Sequence, residues 1–167
     1  MKAPLRTITL AALAGLCGVC AAPAPPPCPA PRVSQAGWQA FSEDVFRYRL
    51  PPGFRRTTPA VVDSWLRRYL DADGRSVLML EYGGRASNPE VERRGRACTE
   101  AIGGRRARLV TARMPRDTQT GSRYVAFVVW EEVEPDLTLN VWAEAPDPER
   151  LRLLLAAVRT LRFDLPR

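Results

Sequence analysis

The sequence predicts an α+β fold: a mostly antiparallel sheet of about six strands packed with two helices. Three observations point there. Apolar and polar residues alternate in several short runs, and each run ends in Gly, Pro or Asp. Two segments open with an Asx-Pro-Glu helix start, Asn88-Pro89-Glu90 and Asp147-Pro148-Glu149. The second of these leads into Leu151, Leu154, Leu155 and Val158, spaced as one apolar helical stripe.

In chain order, Phe46-Arg47-Tyr48-Arg49-Leu50 reads as a strand with one buried face, stopped by Pro51-Pro52-Gly53. Segments 61–70 and 76–82 flank Asp71-Ala72-Asp73-Gly74, a turn sequence, and form a hairpin. From Asn88 a short helix is expected to run to about Ala101, with Val91, Cys98 and Ile102 on one face and Gly103-Gly104 as its cap. Gly95 weakens its interior by roughly 1 kcal/mol relative to alanine. Strands follow at 106–112, 123–133 and 137–145. Tyr124 to Trp130 is apolar on both faces, which marks a central strand covered on both sides. In the next strand Leu137, Leu139, Val141 and Ala143 share a face opposite Thr138, Asn140, Trp142 and Glu144. Glu134-Pro135-Asp136 turns between the two. After the Leu151 helix, Leu161 and Phe163 close the domain as a short strand or extended tail.

The organisation expected is a signal peptide at 1–21, a Pro-rich tether at 22–35 and one α+β domain at 36–167. Lys2 and Arg6 precede an apolar run from Ile8 to Val19. That run is shorter than the roughly 20 apolar residues a spanning helix needs, and small residues follow it, as in an export signal. Val19-Cys20-Ala21 suits cleavage before Ala22. Leu13 to Cys20 also resembles a bacterial lipoprotein signal with Cys17 or Cys20 as the lipid-bearing residue. However, Leu16 and Val19 stand where such signals carry a small residue. Export to the periplasm or beyond is the first reading, and a membrane-anchored lipoprotein is the alternative. The tract from Pro23 to Pro31 serves either as an extended spacer.

Two cysteines survive processing, Cys28 and Cys98. In an exported chain they suggest a disulfide. It would close a loop of about 70 residues and contribute roughly 3–4 kcal/mol. Removing Lys2 and Arg6 with the signal lowers the formal charge from +7 to +5. All remaining basic residues are arginines interleaved with acids, which reads as a mixed solvated surface and not as a nucleic-acid site. One concentration stands out: Arg93, Arg94, Arg96, Arg105, Arg106 and Arg108, a candidate patch for an anionic surface or partner. Trp142, on the more polar face of its strand, is the candidate exposed contact.

The chain has no histidine, which removes the usual general base and the commonest metal ligand. No metal site and no cofactor are expected. Tyr82-Gly83-Gly84-Arg85 and Gly103-Gly104-Arg105 lack the phosphate-loop pattern. Asp71 and Asp73 lack the spacing of a calcium loop. Glu131 and Glu132 point to opposite faces of a strand and so form no dyad.

The strand ending in Leu50-Pro51-Pro52-Gly53-Phe54, the hairpin, the paired later strands and the closing helix with Thr160-Leu161-Arg162-Phe163 resemble the PsbP-like fold across most of residues 38–164. That resemblance implies binding or assembly, not catalysis. The functional expectation is therefore a non-enzymatic exported domain that binds an envelope partner, attached to a membrane only through a lipid anchor if one is present. The alternatives are a small-molecule or lipid-binding domain with a pocket between sheet and helices, and a secreted hydrolase without histidine.

Overall fold

A computed structural model describes residues 28–29, 33–43, 45–57, 65–83, 89–118 and 120–164. Segment 1–27, with the expected export signal, Cys17, Cys20 and the start of the tether, lies outside the described residues, as do 30–32 and Asn88.

Among the described residues, ten strands form two antiparallel sheets. The smaller sheet joins β1 (Gln39–Ser42), β2 (Phe46–Leu50) and β10 (Arg162–Phe163) in the order β1-β2-β10. The larger contains β3 (Arg55–Thr57), β4 (Trp65–Leu70), β5 (Val77–Gly83), β6 (Arg96–Ile102), β7 (Arg105–Arg113), β8 (Tyr124–Glu134) and β9 (Leu137–Ala145). Its order is β3-β4-β5-β9-β8-β7-β6. Helices α1 (Pro89–Arg94) and α2 (Pro148–Val158) cover opposite faces of it.

The α+β class and the two helices are as the patterning predicts, but the expectation of about six strands is too low. β1 and β3 escaped because they are four and three residues long and carry no sustained alternation. β6 is hidden in the sequence because it follows a helix-start signal with only Gly95 between helix and strand.

That helix ends at Arg94. The correction turns on Gly95. A Cβ there would lie 2.4 Å from Val110 Cγ1, 2.7 Å from the Val91 carbonyl oxygen and 2.9 Å from that of Thr111. The chain doubles back against β7 at a point where only glycine fits, and residues 96–102 pair with β7 instead of continuing the helix. Cys98 is opposite Leu109, and Ile102 is opposite Arg105. Val91 therefore does not share a face with Cys98 and Ile102. It packs with Val110, Val125 and Phe127 under α1, whereas the other two join the core under α2. Gly103 and Gly104, at φ 64° and 81°, form the β6–β7 hairpin turn instead of a helix cap.

β8 is the central strand. Val125 to Trp130 are all buried. Ala126, Val128 and Trp130 face α2, while Val125, Phe127 and Val129 face α1. In β9, Leu139, Val141 and Ala143 are fully buried on the α2 side. α2 starts at Asp147, whose carboxylate accepts from Glu149 N at 3.0 Å and Arg150 N at 2.8 Å. Its buried stripe, Leu151, Leu154, Leu155 and Val158, docks toward β2, β8 and β9. The β4–β5 hairpin forms as expected. Asp71 Oδ1 accepts from Arg75 N and Ser76 N, and Arg150 of α2 reaches Asp71 and Asp73 at 3.0 and 2.9 Å. Asp71 and Asp73 thus close a turn and hold a helix. Among the described residues no helix is long and apolar enough to cross a membrane.

Candidate functional site

Cys28 and Cys98 form a disulfide, with sulfurs 2.01 Å apart and Cα atoms 5.1 Å apart. The bond fastens residue 28 to edge strand β6, on the face that α2 covers. Next to it, between α2 and the β6–β7–β8 end of the sheet, an open groove of about 740 Å³ runs along the helix. That volume is in the usual range for ligand sites, about 300–1,000 Å³.

The groove arises from a difference in coverage. α2 packs against the middle of the large sheet and leaves β6 and the adjoining part of β7 beside it uncovered. Alternation along these strands then decides what lines the opening. Cys98, Leu109, Leu151 and Leu155 form its apolar floor with Cys28. Arg96, Arg113, Arg152 and Arg159 rise around it, with Arg94 at the end of α1. Tyr124 lies at the Arg113 end, directly opposite Arg113 in the β7–β8 register. Among the described residues no aspartate or glutamate lines the groove.

These arginines differ in how they are held. Arg159 is fixed, with Nε and Nη2 donating to Glu100 at 2.8 and 3.0 Å and Nη2 also to the Pro29 carbonyl at 2.9 Å. Its Nη1 is buried without an acceptor among the described residues. Arg94 pairs with Glu90 at 3.2 Å. Among the described residues Arg152 pairs with Glu149 alone, at 3.6 Å, with that carboxylate 84% exposed. Arg96 and Arg113 make no ion pair among the described residues.

The six arginines expected to form one patch do not share a surface. Strand alternation divides them. Arg96 and Arg105 are on the α2 side of the sheet, and Arg106 and Arg108 are on the α1 side. Several are also occupied: Arg108 pairs with Glu92 at 2.9 Å, Arg105 lies 5.3 Å over the Phe163 ring, and Arg93 donates to the Pro89 carbonyl. Arg94 and Arg96 reach the groove. The residues that complete the rim, Arg113, Arg152 and Arg159, were missed because they are far apart in sequence. The i, i+7 spacing of Arg152 and Arg159 on α2 was the available clue.

Trp142 is half-buried. Its ring packs edge-on against Phe127 at 5.6 Å, and its Nε1–H donates to Glu144. It belongs to the smaller core under α1, packed against that cluster from its margin. Trp130 is fully buried and donates to the Ile102 carbonyl. Trp65 stacks edge-on with Phe46 and carries Arg67 at 4.2 Å over its face.

A second polar cluster lies under the small sheet. Glu43 meets Arg67 at 3.3 Å and Arg56 at 4.0 Å, and Tyr48 and Tyr69 join hydroxyls nearby. Burial first, and then the hydrogen bond to Tyr69, push the Tyr48 phenol far above its ordinary range. Burial also raises Tyr69. The groups satisfy one another, which is the signature of a structural network. Glu131 is exposed, and Glu134 accepts from the Tyr82 hydroxyl. Among the described residues, no cluster of His, Cys, Asp or Glu is arranged to hold a metal.

Fold and groove together define a class: an α+β domain with a two-faced antiparallel sheet and an open, arginine-rimmed groove beside its closing helix. No protein-family model and no curated protein matches the chain. Among solved structures it is similar to the Saccharomyces cerevisiae Ran-binding protein Mog1p, at TM-score 0.48 and 11% identity, over 75% of this chain and 94% of that one. It is also similar to a mutant of protein Mog1, at TM-score 0.44 and 12% identity, over 70% of this chain and 89% of that one.

Proposed function

We propose that this chain is an exported, non-catalytic binding domain, and that the groove between α2 and the β6–β7–β8 end of the sheet is where it binds. The observation that carries the reading is the groove itself: an apolar floor ringed by guanidinium groups, with no carboxylate lining it among the described residues. Apolar concavities with a few fixed polar groups are the usual form of ligand sites. The PsbP-like resemblance implies binding in the same sense.

Two further features support the setting. A disulfide closing a long loop suits an oxidising compartment, and residues 1–21 have the pattern of an export leader. The chain also lacks histidine. Among the described residues, the shifted phenols lie in structural networks outside the groove lining. The weight moves from an exposed Trp142 contact toward the groove, because the Trp142 ring and N–H are already engaged within the chain.

A photo-crosslinking residue placed at Arg152, and separately at Met79 on the Trp142 face, tests the assignment in native cells. Adducts at position 152 and none at 79 are expected. Adducts confined to 79 would move the binding surface to the opposite face. Mass spectrometry of the mature N-terminus checks export: a chain beginning at Ala22 is expected, and a diacylglycerol adduct on Cys17 or Cys20 would replace it with an anchored form.

A further inference from the structure

We infer that the occupant of the groove is a long-chain amphiphile with an oxyanion head, its chain laid on the leucine floor and its head held by Arg96, Arg113 and Arg152. The inference rests on the groove being the binding surface and adds the class of ligand.

The charge is unevenly placed along the groove. Arg96 is directly cross-strand from Thr111, and Arg113 is two residues further along β7. Both side chains therefore leave the same face of neighbouring strands at one end. This is the end where Pro148 starts α2, and Arg152 stands one turn further along that helix. Leu109, Leu151, Leu155 and the Cys28–Cys98 bridge lie beyond them, and Arg159 closes the far end. Arg159 is already paired with Glu100, so an amphiphile with one anionic head matches a trough with cations unpaired among the described residues at one end and hydrocarbon along its floor. A cationic or purely apolar ligand leaves Arg96 and Arg113 unanswered.

The donors available at the head end suit an oxyanion, carboxylate or phosphate. Phosphate is commonly cradled by free backbone amides at a helix N-terminus. Here the Asp147 carboxylate already takes the amides of Glu149 and Arg150. Binding falls to side-chain guanidinium forks, which match the paired oxygens of a carboxylate or a phosphate alike. Arg152 is free to swing, since its contact with the exposed Glu149 is long and solvent-screened.

Calorimetric titration of the mature protein tests this with dodecanoate, dodecyl phosphate, dodecyltrimethylammonium and butyrate, each below its micelle concentration. Saturable one-site binding of dodecanoate is expected, together with weak or no binding of butyrate and the ammonium compound. The paired variant Arg96→Gln, Arg113→Gln is expected to weaken dodecanoate by about tenfold or more, the scale of a lost charge-assisted hydrogen bond. Both positions are exposed, so the variant keeps its fold, which circular dichroism checks. Unchanged affinity in that variant would overturn the inference. Equal binding of the ammonium compound would overturn the anionic head while leaving the groove in place. Dodecyl phosphate binding with the same dependence on Arg96 and Arg113 also supports the oxyanion head, and its affinity relative to dodecanoate tells the two head groups apart. Binding of no amphiphile would overturn the ligand class, and cross-linking at position 152 then decides separately whether the groove is used.

Discussion

Gly95 has the tightest surroundings of the glycines in the described chain, with three atoms inside 3.0 Å of where a Cβ would be. Two of those atoms are backbone carbonyls, which cannot rotate away. Gly95→Ala is therefore expected to destabilise the fold by about 1–3 kcal/mol through forced backbone shifts, read as a lower urea midpoint with an unchanged slope. The tyrosines make a different residue-scale prediction. Tyr82, raised by burial and by its hydrogen bond to Glu134, titrates at about 12 in the fold against 10.0 normally. Tyr48 and Tyr69 are raised as well, burial being the main cause for both. A phenol whose folded pKa is raised contributes stability that is complete below pH 10 and is lost as pH climbs toward the folded value. Urea midpoints are expected to hold from pH 7 to 9 and to fall between pH 10 and 12. Tyr48→Phe, which removes the bond to Tyr69, is expected to cost about 1 kcal/mol at neutral pH and to flatten that alkaline decline.

At the scale of elements, the disulfide and the α2 cap govern the groove. Reducing Cys28–Cys98, whose members are separated by 70 residues, is expected to lower stability by about 3–4 kcal/mol if loop entropy dominates. Denaturant melts with and without reductant measure it. Asp147→Ala removes the cap from α2 and is expected to cost about 1 kcal/mol, detected in the same melts. The sequence patterns anticipate elements unevenly, and the reasons are physical. β8 and α2 were legible because burial on two faces and on one stripe leaves distinct periods. The Cys28–Cys98 pairing was legible from the cysteine count and the expected compartment. β6 is hard to read because Pro89-Glu90 opens a genuine helix, and local propensity says nothing of a strand waiting to be paired by β7. The groove was legible only as a general position between sheet and helix. Its rim is assembled from α1, β6, β7 and α2 by tertiary packing, which no single window of sequence displays.

Across the whole molecule, protection should follow distance from the sheet edges. β5, β9, β8 and β7 are flanked on both sides, whereas β3 and β6 are edges. Native-state hydrogen exchange is expected to show Phe127, Val128 and Val141 exchanging through global unfolding, and β3 through local opening. Fast exchange at Val128, fully buried and paired with Val141, would mean that the core opens in pieces. The disulfide has a mechanical consequence as well. Because Cys28 is bolted to Cys98, tension arriving along the chain from residues before 28 does not pull on β1 first. It enters β6 at Cys98 and crosses to β7 through the seven residue pairs that join them, from Arg96–Thr111 to Ile102–Arg105. Reduction of that one bond reroutes the load to β1, which is joined to β2 by only four pairs. The oxidised bridge thus decides which part of the domain bears any strain applied from its N-terminal side.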